Sequence, residues 1–161
     1  MNSKKIKQLT MGGMLAALIA VFTAYVSFTI PGGYFHPGDA VIALSGVVLG
    51  PFAAIPAAIG SCIADLLNGY SMYAPFTFVI KGLMGLIAGW GCAGGKINLK
   101  SAGALVLGGL VVVGGYFATD CILDGTKALA SMPWNALQGA IYIAFGLVCL
   151  RLGIKKLVDR I

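Results

Sequence analysis

The chain contains no glutamate, five aspartates and a single histidine, His36, in 161 residues. Charged residues make up 10% of it and apolar residues 59%, whereas a soluble domain carries about 25% charge. Lipid rather than water is therefore the solvent for most of the surface. The missing residues also exclude chemistry. There is no His-Glu-x-x-His zinc motif and no Gly-x-Ser-x-Gly nucleophile elbow. Cys62, Cys92, Cys121 and Cys149 form no Cys-x-x-Cys pair, so they read as small buried thiols rather than disulfides or metal ligands. Gly94-Gly95-Lys96 fails as a P-loop, because Trp90 stands at the first glycine position and Ile97 at the Ser/Thr position. With no nucleophile–base set, no metal cluster and no cofactor motif, the chain is not expected to be an enzyme or to carry a cofactor.

Long apolar runs take the place of these motifs. A membrane-crossing helix needs about 20 apolar residues. Six apolar segments, at roughly 10–29, 38–49, 52–67, 75–93, 102–123 and 133–152, predict an all-α integral membrane protein, a six-transmembrane-helix bundle forming one domain over 1–161. Lys4, Lys5 and Lys7 precede the first run, which is too long for a signal-peptide core. It ends in Ile30-Pro31-Gly32-Gly33 rather than a cleavage site, so it reads as a retained first span. Gly50-Pro51 breaks the second segment from the third, and the two together are too long for one crossing. Pro56 is expected to kink the third helix near its inner end.

The net charge of +6 is a topology signal. With the N-terminus inside, Lys4, Lys5, Lys7, Lys96, Lys100, Arg151, Lys155, Lys156 and Arg160 all fall on the cytoplasmic side, and only Lys127 falls outside. That bias predicts both termini in the cytoplasm and attraction to anionic lipid. No nucleic-acid partner is implied.

Ionisable groups inside apolar segments cost about 2.5–3.5 kcal/mol each on insertion scales and mark functional sites by default. Asp39 opens the second helix at its outer end. Asp65 lies about 6 Å below the outer end of the third, Lys81 about 9 Å below the start of the fourth and Asp120 about 6 Å from the end of the fifth. Asn135 and Gln138 occupy the first outer turns of the sixth. A channel would place polar groups along the full depth. Their confinement to the outer half, with little beyond Ser45 and Ser61 below, predicts a pocket open to the outside. Aromatic residues gather at the same level. Some form an interfacial belt, but Tyr34, Tyr70 and Tyr73 sit beside polar loop residues, and with Tyr116 at the same level they suit a flat heteroaromatic molecule. His36 is either a solvated loop residue or a ligand contact. Asp65 and Lys81 either contact ligand or form an ion pair locking the third helix to the fourth. Lys81 and Asp39 are the firmer ligand candidates.

Gly12, Ala16, Ala20 and Ala24 recur every fourth residue of the first helix. This lets another helix approach closely, whether a partner's or one of the chain's own. A concentrating transporter also needs energy. With no ATPase motif present, ion coupling or a partner ATPase must supply it.

The run Gly38-Asp39-Ala40-Val41, Gly50-Pro51, Ala64-Asp65-Leu66, Tyr73-Ala74-Pro75, Ile80-Lys81-Gly82-Leu83 and Gly89 resembles the substrate-binding (S) component of energy-coupling factor (ECF) vitamin transporters. Tyr116, Asp120 and Pro133-Trp134-Asn135 with Gln138-Gly139 are similar to the matching part of that family. The likeness is closest to the branch handling hydroxymethylpyrimidine, pyridoxine and riboflavin. It implies a six-helix bundle in a prokaryotic plasma membrane. A vitamin would bind near the outer face, capped by the loops between helices one and two and helices three and four. It also implies a transmembrane coupling subunit and two cytoplasmic ATPases as partners. In the family an Ala-x-x-x-Ala of helix one meets the coupling subunit; Ala16-x-x-x-Ala20 matches it, extended by Gly12 and Ala24. The expected ligand is a small pyridine or pyrimidine, pyridoxine-like or hydroxymethylpyrimidine-like. The alternatives are a riboflavin-specific S component and a self-sufficient ion-coupled permease.

Overall fold

A computed structural model describes residues 3–30 and 33–160. Pro31 and Gly32, within the step read as closing the first apolar run, lie outside the described residues. The elements in chain order are α1 (Ser3–Ala24), β1 (Phe28–Ile30), β2 (Gly33–Phe35), α2 (Gly38–Leu49), a 3-10 turn (Gly50–Ala53), α3 (Ala54–Leu67), α4 (Ala74–Cys92), α5 (Leu99–Asp124), α6 (Ala128–Arg151) and α7 (Ile154–Asp159).

α1 begins and ends earlier than the sequence suggests. Phe28, Thr29 and Ile30 are strand-forming residues, and they pair antiparallel with Phe35, Tyr34 and Gly33. The end of the first apolar run is thus a β-hairpin rather than helix. α5 starts at Leu99 because Asn98 and Ser101 form a reciprocal capping box: each side chain accepts the other's backbone N–H at 2.9 Å. α6 starts at Ala128 and carries Pro133 inside it, where the sequence suggests a start at Pro133. Proline in the second turn leaves the Leu129 carbonyl without its helical donor, and Leu129 is at the exposed end of the bundle. Pro56 falls in the first turn of α3, where a missing amide donor breaks no intrahelical bond.

α1, α4, α5 and α6 are each long and apolar enough to cross a bilayer, and the 30-residue run Gly38–Leu67 is a fifth such segment. That run does not cross once. Along α4 from Lys81 to Gly89, α2 descends in parallel: Asp39 bonds Lys81 and Gly46 packs on Ala88. α3 returns in the opposite sense, with Gly50 against Gly89, Ala53 against Gly85 and Ala58 against Gly82. α2 and α3 are therefore two legs of a V with α4 between them, and the bundle has six helical legs. The bend requires glycine twice. Gly50 sits at φ +61°, and a Cβ on Gly89 would fall 2.0 Å from the Gly50 carbonyl oxygen.

The two ends of the bundle differ. One collects the β-hairpin, the loop 68–73 and the link 125–127. At the other, Lys7 Nζ donates to the Val158 carbonyl at 2.8 Å and Gly95 lies against the Lys155 side chain. Both described termini therefore share one end, together with Lys96 and Lys100, whose ammonium lies 4.3 Å over the Trp90 ring. Inside, Ile19, Ile42, Val47, Met84, Leu105 and Val112 are buried around Tyr142, whose hydroxyl donates to the Met84 carbonyl at 3.1 Å. Outside, Leu18, Ile59, Phe78, Leu86, Leu110 and Phe145 are exposed, as a lipid-facing surface requires.

The small-residue stripe of α1 turns inward at both ends. Gly12 and Ala24 are buried, while Ala16 and Ala20 are half-buried. A Cβ on Gly12 would lie 2.9 Å from the Phe52 ring, and one on Gly60 would lie 2.5 Å from the Ala16 carbonyl. Gly12 and Ala24, the outer members of the stripe, are thus buried within the chain's own bundle. Fourfold spacing defines one face of a helix, but α3 and the 3-10 turn already cover much of it.

Candidate ligand-binding site

A cavity of about 50 Å3 opens at the hairpin end of the bundle. Its polar wall is built helix by helix. Tyr73, Thr77 and Lys81 recur every four residues and so share one face of α4. Tyr73 and Thr77 reach the cavity, while Lys81 lies one turn deeper. Tyr116 and Asp120 are one turn apart on α5. Ser131, Asn135 and Gln138 share a face of α6. Asp65 comes from the last turn of α3, Tyr34 and His36 from the hairpin and its exit, Tyr70 from the loop 68–73, and Ile30 from β1. Nine of the residues singled out in the sequence thus line one space: Tyr34, His36, Asp65, Tyr70, Tyr73, Tyr116, Asp120, Asn135 and Gln138.

Asp39 and Lys81 do not line it. Lys81 Nζ donates to both Asp39 carboxylate oxygens, at 2.7 and 2.8 Å, with the two side chains 0% and 1% exposed. The partner of Lys81 is therefore Asp39, not Asp65. The ammonium also lies 5.1 Å from the centre of the Tyr116 ring, so the pair braces α2 and α4 just beneath the cavity and backs one of its aromatic walls. Asp39 stands in the first turn of α2, where the helix dipole favours a carboxylate.

The remaining carboxylates are held differently. Asp120 Oδ1 accepts the Tyr73 hydroxyl at 2.8 Å and Oδ2 accepts the Ser131 hydroxyl. This ties the loop before α4 to α5 and α6. Asp65 Oδ1 accepts the Tyr34 hydroxyl, but Oδ2 has no partner. Thr77 borders Asp65, yet its hydroxyl pairs with that of Tyr116 at 3.0 Å. Gln138 Oε1 and His36 Nδ1 are likewise buried without partners.

Four rings close the top. Tyr34 and Tyr70 are 4.9 Å apart, Tyr70 and Tyr73 are 6.0 Å apart and edge-on, and Tyr34 and His36 are 5.3 Å apart. Burial, then the Asp65 charge, pushes the Tyr34 phenol far above its usual range, and burial followed by the Asp120 hydrogen bond does the same to Tyr73. Both therefore remain hydrogen-bond donors. Burial pulls His36 down to about 4 against the opposing pull of Asp39, so its imidazole is neutral near pH 7. Among the described residues no three His, Cys, Asp or Glu side chains converge.

Thr77, Ser131 and Ile30 were not anticipated. The fourfold spacing to Tyr73 and Lys81 is the signal for Thr77. Ser131 shares the face of Asn135 and Gln138 only once α6 is known to start before Pro133. An isoleucine in an apolar run carries no signal.

Fold and cavity together define a class: a membrane-embedded helical bundle with a polar, aromatic-lined binding cavity near one face. The chain belongs to the ECF-type riboflavin transporter S component family, which it matches over residues 3–155. It is 30% identical over 146 residues to the thiamine precursor transporter HmpT of Lactococcus lactis subsp. cremoris (strain MG1363), covering 86% of this chain and 82% of that protein. It is also 36% identical over 130 residues to an uncharacterized Pyrococcus woesei protein, described as lying in a gap 3' region, covering 76% of this chain and 84% of the other. The chain is thus a membrane transporter S component of a vitamin-uptake family.

Proposed function

We propose that the chain binds a single-ring vitamin precursor, hydroxymethylpyrimidine-like or pyridoxine-like, at the outer face of a prokaryotic plasma membrane, and delivers it inward as the S component of an ATP-driven ECF transporter. The observation that carries this reading is the cavity itself. Aromatic rings flank one small space, and buried polar atoms without partners, Asp65 Oδ2 and Gln138 Oε1, face a ligand that can supply them. Two features support the substrate class. The relative from Lactococcus lactis is a thiamine precursor transporter. The wall also alternates stacking surfaces with directed hydrogen-bond groups.

In this reading Tyr34, Tyr70, Tyr73 and Tyr116 stack on or close over the ring. Asp65, Asn135 and Gln138 bond its edge, His36 lines the hairpin side, and Asp39, Lys81 and Asp120 hold the wall in place. The hairpin end faces outward, and the lysine- and arginine-rich end holding both termini faces the cytoplasm, by the positive-inside bias. The half-buried edge of α1 at Ala16 and Ala20 meets the coupling subunit, and two ATPases complete the assembly. The test is transport in proteoliposomes. The chain alone should bind radiolabelled hydroxymethylpyrimidine but not accumulate it under any ion gradient. Adding the coupling subunit, the ATPases and ATP should produce uptake. Accumulation by the chain alone would establish an ion-coupled permease instead.

A further inference from the structure

We infer that Asp65 reads an exocyclic amino group on the ligand ring, and that the cavity rejects the oxo and phosphorylated counterparts of the same ring. This inference rests on the single-ring reading above and names the chemistry that reading leaves open.

Besides His36 Nδ1, two buried polar atoms of the cavity wall lack partners, and both are acceptors. Asp65 is 3% exposed, with Oδ1 taken by Tyr34 and Oδ2 free. Gln138 is 3% exposed, with Oε1 free. A buried acceptor left unpaired carries its full desolvation penalty, so the ligand that fits must bring donors to both points. An amino group opposite Asp65 and a hydroxyl or second amino hydrogen opposite Gln138 meet that demand. An oxo group at the first position would set acceptor against acceptor.

Charge reinforces the choice. The wall carries two carboxylates, Asp65 and Asp120, and no lysine or arginine among the described residues. The nearby ammonium of Lys81 is held by both oxygens of Asp39. Three of the wall's hydroxyl donors are already engaged on carboxylates, Tyr34 on Asp65 and Tyr73 and Ser131 on Asp120. A phosphate ester entering this space would meet like charge with no lining cation to neutralise it.

The experiment is titration calorimetry of the full chain in lipid nanodiscs with 4-amino-5-hydroxymethyl-2-methylpyrimidine, its 4-oxo counterpart and its phosphate ester. The amino compound should bind at least about tenfold more tightly than the oxo compound and about a hundredfold more tightly than the phosphate, since a site built to bond a polar group rejects analogues that leave it unpaired. Asp65→Asn should bring the amino and oxo affinities within about threefold of each other. Gln138→Leu should weaken the amino compound while preserving its preference over the oxo compound. Where Asp65→Asn does not fold, the unmodified chain's own amino-to-oxo ratio decides. Equal affinities for the two rings, or an undiminished preference in a folded Asp65→Asn protein, overturns this inference alone. Binding of none of the three compounds overturns this inference, and failure to bind pyridoxine in the same titration as well overturns the single-ring reading.

Discussion

Replacing Lys81 by methionine removes one half of an ion pair that is wholly enclosed, with side-chain exposures of 0% and 1% and Nζ–carboxylate distances of 2.7 and 2.8 Å. Methionine keeps the length and apolar stem of the side chain, so the change is chiefly electrostatic. What remains is Asp39 without a counter-ion between α2 and α4. Breaking a buried pair in this way costs about 3–5 kcal/mol. For a chain of this size that corresponds to a fall in Tm of about 6–20 °C. The double variant Asp39→Leu with Lys81→Met leaves no orphan charge and should recover most of the loss, because buried pairs compare poorly with apolar packing. Thermal unfolding of the purified protein in one detergent gives both numbers, and the cycle isolates the coupling. The double variant should also bind ligand within about tenfold of the unmodified chain, because the pair supports Tyr116 from below rather than touching the cavity. A Tm unchanged by Lys81→Met would refute the buried pair. Loss of binding in a folded, thermally recovered double variant would show that Asp39 or Lys81 contacts ligand directly.

Further outcomes follow from other parts of the fold. His36 is held near a pKa of about 4 against 6.5 when unfolded; the unfolded chain then binds more protons between these values, so its contribution is complete above pH 6.5 and is lost as pH falls through 4. The loss amounts to about 3 kcal/mol, and Tm measured across that window should fall less steeply in His36→Gln. Gly89→Leu should prevent the close approach to Gly50, where a Cβ would lie 2.0 Å from the carbonyl oxygen, and so abolish a sharp thermal transition. Gly13→Ala, inside α1 with nothing within 4 Å of the added Cβ, should raise Tm by about 1–4 °C, since glycine within a helix costs about 0.5–1 kcal/mol relative to alanine. Ala16→Leu with Ala20→Leu should leave ligand affinity within about threefold, on the scale of a site remote from the cavity, and abolish ATP-driven uptake. Uptake at the unmodified rate would remove α1 from the docking surface.

Much of this architecture was readable from the chain because lipid makes the pattern severe. A charged or amide side chain inside an apolar run has few alternatives to the bundle interior, so Asp65, Asp120, Asn135 and Gln138 marked one level of the bundle before any contact was known. Their partners were not readable. Asp39 and Asp65 stand at similar depths on the two legs of one V, and α4 packs against both legs. Which carboxylate meets Lys81 depends on the azimuth of each helix, a quantity that uniformly apolar segments leave undetermined. The β-hairpin was hidden for a related reason. Phe28, Thr29 and Ile30 continue the apolar run of α1, and lipid-facing helices and buried strands share that composition. Pro133 misdirected the start of α6 because a proline near a helix's outer end reads as its first residue, and that error concealed Ser131. The α1 stripe shows the same limit: spacing identifies a face, and only packing reveals what covers it.

The most direct measurement is mass spectrometry of small molecules released from the protein after purification from its native membrane. A nitrogen-containing single-ring compound bearing an amino group, recovered at about one per chain, is the predicted result. Recovery of a flavin at that stoichiometry, or a ligand-free protein that also fails to bind any pyrimidine or pyridine offered to it, would contradict the assignment of this cavity.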